Sequence, residues 1–221
     1  MKEPYFLSET IHQKSLKMLQ EIQQYTHRQN ITFVPEHSAL LILDMQKYFL
    51  HKSSHAYIPS APAIIPGIRD LIKVYATRHI PIIFTQHMNS PQNAKMMGTW
   101  WKDLIHEEDP LSEITDEFDT TNALILKKSQ YDAFYETRLE DILREKKITQ
   151  LVICGVMTNL CCETTARSAF VRGLNVFFTV DGTATYNEKF HLATLLNLSY
   201  GFAALVLVNE LLTILRGEDE R

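Results

Sequence analysis

The chain has 221 residues, enough to bury one sizeable core, and its 45% hydrophobic and 22% charged content is ordinary for a globular protein. A formal net charge of -4 gives no basic footprint for nucleic acid, and no apolar run approaches the roughly 18 residues of a membrane span. The count of three cysteines does not suit a disulfide scaffold, and the opening MKEPYFLSETIHQK lacks a signal-peptide pattern, so a reducing cytoplasmic setting is expected.

Residues 8–28 place Ile11, Leu16, Met18, Leu19 and Ile22 at roughly helical spacing, with Ser8 as a candidate cap. Residues 29–37 read as a linker, so 1–36 form an N-terminal helical extension to a domain over 37–221. ALLILDM, closed by Asp44, reads as a strand buried on both faces. PGIRDLIKVYATR follows as an amphipathic helix with Pro66 near its start, and IPIIFTQ as a second strand. A polar stretch with two tryptophans, residues 88–118, then breaks the rhythm, and loops of that length are often functional. NALILKK is a third strand, TRLEDILREKK a helix, and QLVICGV a fourth strand. A helix from about Asn159 to Arg172 is followed by a fifth strand, LNVFFTVD, and by the helix NEKFHLATLLNLS. A sixth strand, AALVLV, and the helix NELLTILR complete the pattern. Strands alternating with helices imply a Rossmann-like α/β three-layer sandwich, with a six-stranded, mostly parallel sheet and helices on both faces.

Ligands of such sheets bind outside the carboxyl ends of the strands. Asp44, His87, Lys127 or Lys128, the stretch Gly155–Cys161, and Asp181 all fall there. A carboxylate, an ammonium and a thiol on one rim can do chemistry. A thiolate attacks carbonyl carbon, a nearby ammonium favours the thiolate, and a carboxylate can take and return the proton. A helix start beneath the thiol would lower its pKa further and offer N–H groups to an oxyanion.

These segments resemble the isochorismatase-like cysteine hydrolases, a group that includes nicotinamidases, N-carbamoylsarcosine amidase and ureidoacrylate amidohydrolases. The resemblance runs from about residue 37 to 212. LLILDMQKYF looks like the family's first strand, with Asp44 as acid/base. LKKSQYDAF looks like its lysine segment, and the spacing to Tyr131 selects Lys128 over Lys127; Asp132 stands where serine is usual. CGVMTNLCCETTARSAF looks like the nucleophile segment, which implies Cys161 as nucleophile. VDGTATYNEKFH follows, with Gly182 in place of alanine. The resemblance also implies a cis peptide between Val156 and Met157, and an oxyanion hole from the Met157 and Cys161 N–H groups. Phe49, His87, Trp100, Trp101 and Tyr131 are the expected substrate-binding residues.

Cys154 and Cys162 read as core packing. No cofactor is required. Nicotinamidases hold a metal with an Asp-x-His pair and a second histidine, but here the second strand ends FTQHMNS. His51, His55 and His87 lack the spacing of a metal site, so none is expected. Two function readings compete within the family. Cys161 points to a small amide or ureide, cleaved at C–N through a thioester. The DMQKYFL segment, the tryptophan-bearing insert and the chain's last helices resemble the isochorismatase branch, in which an acid such as Asp44 protonates a vinyl ether. A catalytically idle binding module is the reading from another class. The expected partner is a small molecule, and the resemblance implies a homo-oligomer, dimer or tetramer, with the helix at 8–28 available to a neighbouring subunit.

Overall fold

The structure is a computed structural model that describes residues 1–26 and 31–217. Its elements, in chain order, begin with α1 (Ile11–Ile22), β1 (Ser38–Leu43), the single turn α2 (Lys47–Leu50) and α3 (Ala61–Thr77). Next come β2 (Ile82–His87), the single turn α4 (Met97–Trp100), β3 (Leu124–Lys128), α5 (Leu139–Glu145) and β4 (Gln150–Val156). A wide π-type turn, Thr158–Cys162, leads into α6 (Glu163–Val171), then β5 (Asn175–Ala184), α7 (Glu188–Gly201), β6 (Ala204–Val206) and α8 (Val208–Arg216).

The six strands form one sheet in the order β3-β2-β1-β4-β5-β6, and every pairing is parallel. Such a sheet is covered on both faces, which explains why every residue of β1 and β4 is buried and why only their first residues, Ser38 and Gln150, are polar. The strand order reverses between β1 and β4. The crevice outside their carboxyl ends is the position where this architecture holds ligands, and both Asp44 and the Thr158–Cys162 turn open from it.

Several boundaries differ from the sequence reading, each for a physical reason. Ser8 does not cap α1: the cap position is Thr10, without a side-chain hydrogen bond. The α3 helix begins at Ala61, not Pro66. Proline suits a first turn, and Pro62 occupies it here, leaving Pro66 inside the helix. The helix after β4 is preceded by the wide turn, so regular α-helix starts only at Glu163. Strand β5 runs on to Ala184 through a register shift beside Ile153 and Gly155. Gly182 lies in that stretch, where a Cβ would come 2.2 Å from Thr179 Oγ1, a hydroxyl that bonds the Ile153 carbonyl at 2.7 Å. This accounts for glycine in place of alanine.

The amino-terminal segment joins the same core as the sheet: Tyr5, Phe6, Met18 and Ile22 are buried in it. The 3-10 turn Pro35–His37 leads into β1, and Val34 N–H donates to Gln150 Oε1 at 2.8 Å. Residues 27–30, which take in the end of the expected helix at 8–28 and the start of the expected linker at 29–37, lie outside the described residues. No helix among the described residues is long and apolar enough to cross a membrane.

Candidate active site

Asp44 follows β1 with φ of 50°, a left-handed conformation that turns the chain sharply at the strand end. Thr85 of β2 stabilises this turn from both sides: its hydroxyl accepts the Asp44 N–H at 3.1 Å and donates to Asp44 Oδ1 at 2.6 Å. Gly155 of β4 makes room beside it. It pairs with Leu43 at φ of 112°, where a Cβ would stand 2.1 Å from the Leu43 carbonyl oxygen. Only glycine fits that approach without displacement.

Lys128, the last residue of β3, meets these groups from the sheet edge. Its ammonium lies 2.8 Å from Asp44 Oδ2, 3.0 Å from the Gln130 carbonyl, and 3.3 Å from both His87 Nδ1 and Cys161 Sγ. Four acceptors surround three N–H bonds, so one is always left over. Asp44 Oδ2 makes the ion pair without a well-formed hydrogen bond, leaving a lone pair for a proton. Side chains alternate along a strand, so Lys127 points away, exposed and paired with Glu107.

The peptide between Val156 and Met157 is cis. Cys161 follows in the wide turn, 7% exposed, at the floor of a cavity of about 320 Å³. Phe49, His87, Trp101 and Tyr131 all line this cavity. Trp101 donates its indole N–H to the Tyr131 hydroxyl at 2.7 Å. Trp100 does not take part: it closes the single turn α4 with its ring 75% exposed, while the next residue turns inward. Tyr48, His55, Met157, Leu160 and Tyr186 complete much of the wall. Of these, Tyr48 and Tyr186 carried a signal that sequence reading passed over, since each sits just beyond a strand end.

Burial raises the Cys161 thiol pKa, and the Asp44 charge adds to this, while Lys128 pulls the other way. The net result is a thiol, contrary to the expectation of a lowered pKa. Burial also acts to raise Asp44, but Lys128 and then His87 outweigh it and hold the carboxylate low. Lys128 feels the same balance with opposite sign: burial lowers it, and Asp44 prevails to raise it. Burial, then Lys128, brings His87 down to about 4. The resting site is therefore carboxylate, ammonium, thiol and neutral imidazole. Since Lys128 donates toward Nδ1, His87 carries its proton on Nε2 and donates to Asn89 Oδ1 at 3.0 Å.

Among the described residues, one set of three His, Cys, Asp or Glu side chains converges as metal ligands would: Asp44, His87 and Cys161, within 4.8 Å of one another. The Lys128 ammonium touches all three. A cation would have to share that space with it, so this donor set does not fit a metal. His51 and His55 do not join the group: His51 bonds Ser53 at 2.7 Å, and His55 bonds Tyr48 at 3.1 Å. Asp181 is also elsewhere, accepting the Val208 N–H at 2.8 Å at the start of α8. Cys154 and Cys162 are fully buried in the core. Asp132, in place of serine, accepts the Phe134 N–H at 2.8 Å and the Ser168 hydroxyl at 2.7 Å, which ties the lysine segment to α6.

The model of the Isochorismatase domain matches residues 38–210. A protein from Arabidopsis thaliana called Nicotinamidase 3 is 40% identical over 174 residues, covering 76% of this chain and 84% of its own. Enterobactin synthase component B from Escherichia coli (strain K12) is 30% identical over 188 residues, covering 81% of this chain and 64% of its own. Among solved structures, a cysteine hydrolase from Pseudomonas syringae pv. phaseolicola superposes with a TM-score of 0.78 at 21% identity, covering 87% of this chain and 97% of its own. With an all-parallel sheet whose switch point gathers a carboxylate, an ammonium and a thiol, the chain belongs to the isochorismatase-like cysteine hydrolase superfamily and is a hydrolase.

Proposed function

We propose that this chain is a cysteine amidohydrolase that cleaves the C–N bond of a small, uncharged carboxamide or ureide. The observation that carries the reading is the Lys128 ammonium set between Asp44 and Cys161 on the floor of the cavity. In the first step the Cys161 S–H proton passes to Asp44 as Sγ bonds to the carbonyl carbon. The Met157 and Cys161 N–H groups hold the oxyanion, and Lys128 offsets the charge that moves between thiol and carboxylate. The C–N bond then breaks, and Asp44 returns the proton to the departing ammonia or amine. Water attacks the thioester, Asp44 takes its proton, and the thiol leaves with that proton restored.

The cavity wall supports the substrate class. It is largely aromatic and aliphatic, and its ionisable groups nearly cancel: Lys102 and His55 stand with Asp103, whose carboxylate lies 3.7 Å from His55. A flat, uncharged amide suits such a wall better than a dicarboxylate. Nicotinamide, the substrate implied by the name of the Arabidopsis relative, is therefore the first compound to test. Isochorismate is the second, because the family also contains that chemistry and Asp44 could supply its proton. All three cysteines are unpaired, which suits a reducing cytoplasmic setting, and a homo-oligomer is proposed on family likeness.

The test is ammonia release from nicotinamide and a panel of small amides and ureides, beside isochorismate turnover, in wild type and Cys161→Ala. The amidohydrolase reading expects amide hydrolysis that falls by at least about 10⁴-fold in the variant. Isochorismate turnover that survives Cys161→Ala, with no amide cleaved, would transfer the assignment to the vinyl-ether reaction. No turnover of any kind would leave the binding module.

A further inference from the structure

The cavity and the Cys161 turn both lean on residues outside the matched domain. The family match begins at residue 38, yet residues 2–6 reach the site at two places. First, the Tyr5 hydroxyl accepts the Thr185 N–H at 3.0 Å and lies 3.0 Å from His191 Nδ1. That same Nδ1 lies 3.1 Å from the hydroxyl of Thr158, the first residue of the turn that carries Cys161. His191 is fully buried, and burial brings it down to about 3, so the ring is neutral, and its one Nδ1 is within hydrogen-bond reach of both hydroxyls. Second, the Glu3 N–H donates to the Tyr186 carbonyl at 2.8 Å. Lys2 sits 4.3 Å above the Tyr186 ring and donates to the His55 carbonyl. Tyr186 and His55 both line the cavity.

None of these groups takes part in the chemistry above, and a polar network of this kind is costly to bury unless it fixes something. We infer that residues 2–6 are a positioning strap of the active site: Tyr5 sets the Cys161 turn through His191 and Thr158, and Lys2 with Glu3 sets the Tyr186 wall. The inference rests on Cys161 being the nucleophile. Small displacements of a reacting group cost large factors in rate, so a hydroxyl remote from the thiol can matter without touching substrate.

The test compares the 221-residue wild type with Tyr5→Phe, Thr158→Val, Thr158→Ser, the Tyr5→Phe/Thr158→Val pair, and Lys2→Ala. Tyr5→Phe keeps the ring that packs on Phe6 at 4.6 Å and removes only the hydroxyl. The readouts are kcat, KM, Tm, and the alkylation rate of each cysteine by iodoacetamide at alkaline pH. Tyr5→Phe and Thr158→Val should each lower kcat and Cys161 alkylation about tenfold with KM within about twofold. The pair should lose little more than either alone, since both act through one ring nitrogen, and Thr158→Ser should restore the rates. Lys2→Ala should raise KM about threefold. Tyr5→Phe with unchanged kcat and alkylation overturns the inference, whether or not Tm falls. If wild-type Cys161 reacts no faster than Cys154 and Cys162, the nucleophile assignment itself fails, and the strap falls with it.

Discussion

The Lys128 ammonium lies 2.8 Å from the Asp44 carboxylate, and the two side chains are 0% and 1% exposed. Breaking a buried pair by removing one partner leaves the other charge uncompensated, at about 3–5 kcal/mol. Lys128→Met should therefore lose stability of that order at neutral pH. In the wild type, Asp44 is held below its ordinary 3.8, so its contribution is full above that value and fades as pH falls through the lowered one. Lys128 is held above its ordinary 10.5, so its contribution is full below that value and fades as pH rises through the raised one. In Lys128→Met the acid side should invert: lone burial raises Asp44, and the variant regains stability as acid protonates it. Tm against pH for the two proteins checks this; a variant that loses stability in acid as the wild type does would contradict it.

The same carboxylate sets the thiol. Burial raises Cys161 first and the Asp44 charge second, while Lys128 opposes both. Asp44→Asn removes the second effect and leaves the Cys161 thiolate as the remaining anionic partner of Lys128. The pH midpoint of Cys161 alkylation should move down, even as amide turnover drops by about 10²–10⁴-fold for want of the general acid/base. Iodoacetamide labelling read by peptide mass spectrometry decides it. A midpoint that stays or moves up would show that Asp44 does not act on the thiol through its charge.

Acid should also act through His87. Its pKa falls from the ordinary 6.5 to about 4, by burial and then by Lys128. Between those values the unfolded chain holds a proton that the folded chain does not, so stability falls as pH drops from about 6.5 toward 4. The loss is about 3 kcal/mol at the lower end, at roughly 1.4 kcal/mol per pH unit. His87→Gln should flatten this part of a urea-midpoint profile between pH 7 and 5. An unchanged slope would place the acid sensitivity elsewhere, with the buried His191 the next group to change.

Gly155→Ala should be among the most damaging single changes outside the reacting groups. It combines a left-handed φ of 112° with a Cβ placed 2.1 Å from the Leu43 carbonyl oxygen. Strain and overpacking together are worth roughly 3–5 kcal/mol. Because Leu43 immediately precedes Asp44, the variant should also lose turnover in whatever fraction stays folded. Urea unfolding and specific activity per folded molecule measure the two effects separately.

Much of the site was legible because parallel sheets put chemistry at strand ends. Asp44, His87 and Lys128 could each be placed at the end of a short apolar run, while Cys161, five residues past the end of β4, is placed by the likeness of CGVMTNLCC to the family's nucleophile segment. Alternation along a strand says only that one of Lys127 and Lys128 faces the rim; the family-like spacing to Tyr131 selects Lys128, whose ammonium lies beside Asp44 and Cys161. The thiol's protonation was not legible, because it depends on burial and on how near Asp44 comes, which no spacing records. Trp100 and Trp101 are adjacent on one short turn, and nothing in GTWWKDL says which ring turns inward. Helix starts at Ala61 and Glu163 were hidden by tertiary choices: Pro62 rather than Pro66 opens one helix, and a wide turn opens the other. The Tyr5 network was invisible, since it joins residues more than 150 positions apart.

Strand β3 carries Lys128 and is one rim of the sheet. Among the described residues its only sheet partner is β2, and Leu124 and Ile125 stand 43% and 51% exposed. Asp44 and Cys161, by contrast, follow strands with neighbours on both sides. Opening free energies vary across a protein, and peripheral elements sit at the low end. Partial detachment of this one rim strand would withdraw Lys128 while the central strands stay folded. Inactivation by mild denaturant should then precede global unfolding, and amides of residues 124–128 should exchange with deuterium sooner than those of β1 and β4. Lys128 therefore stands on the least supported side of the site, on a strand held to the sheet along one side alone.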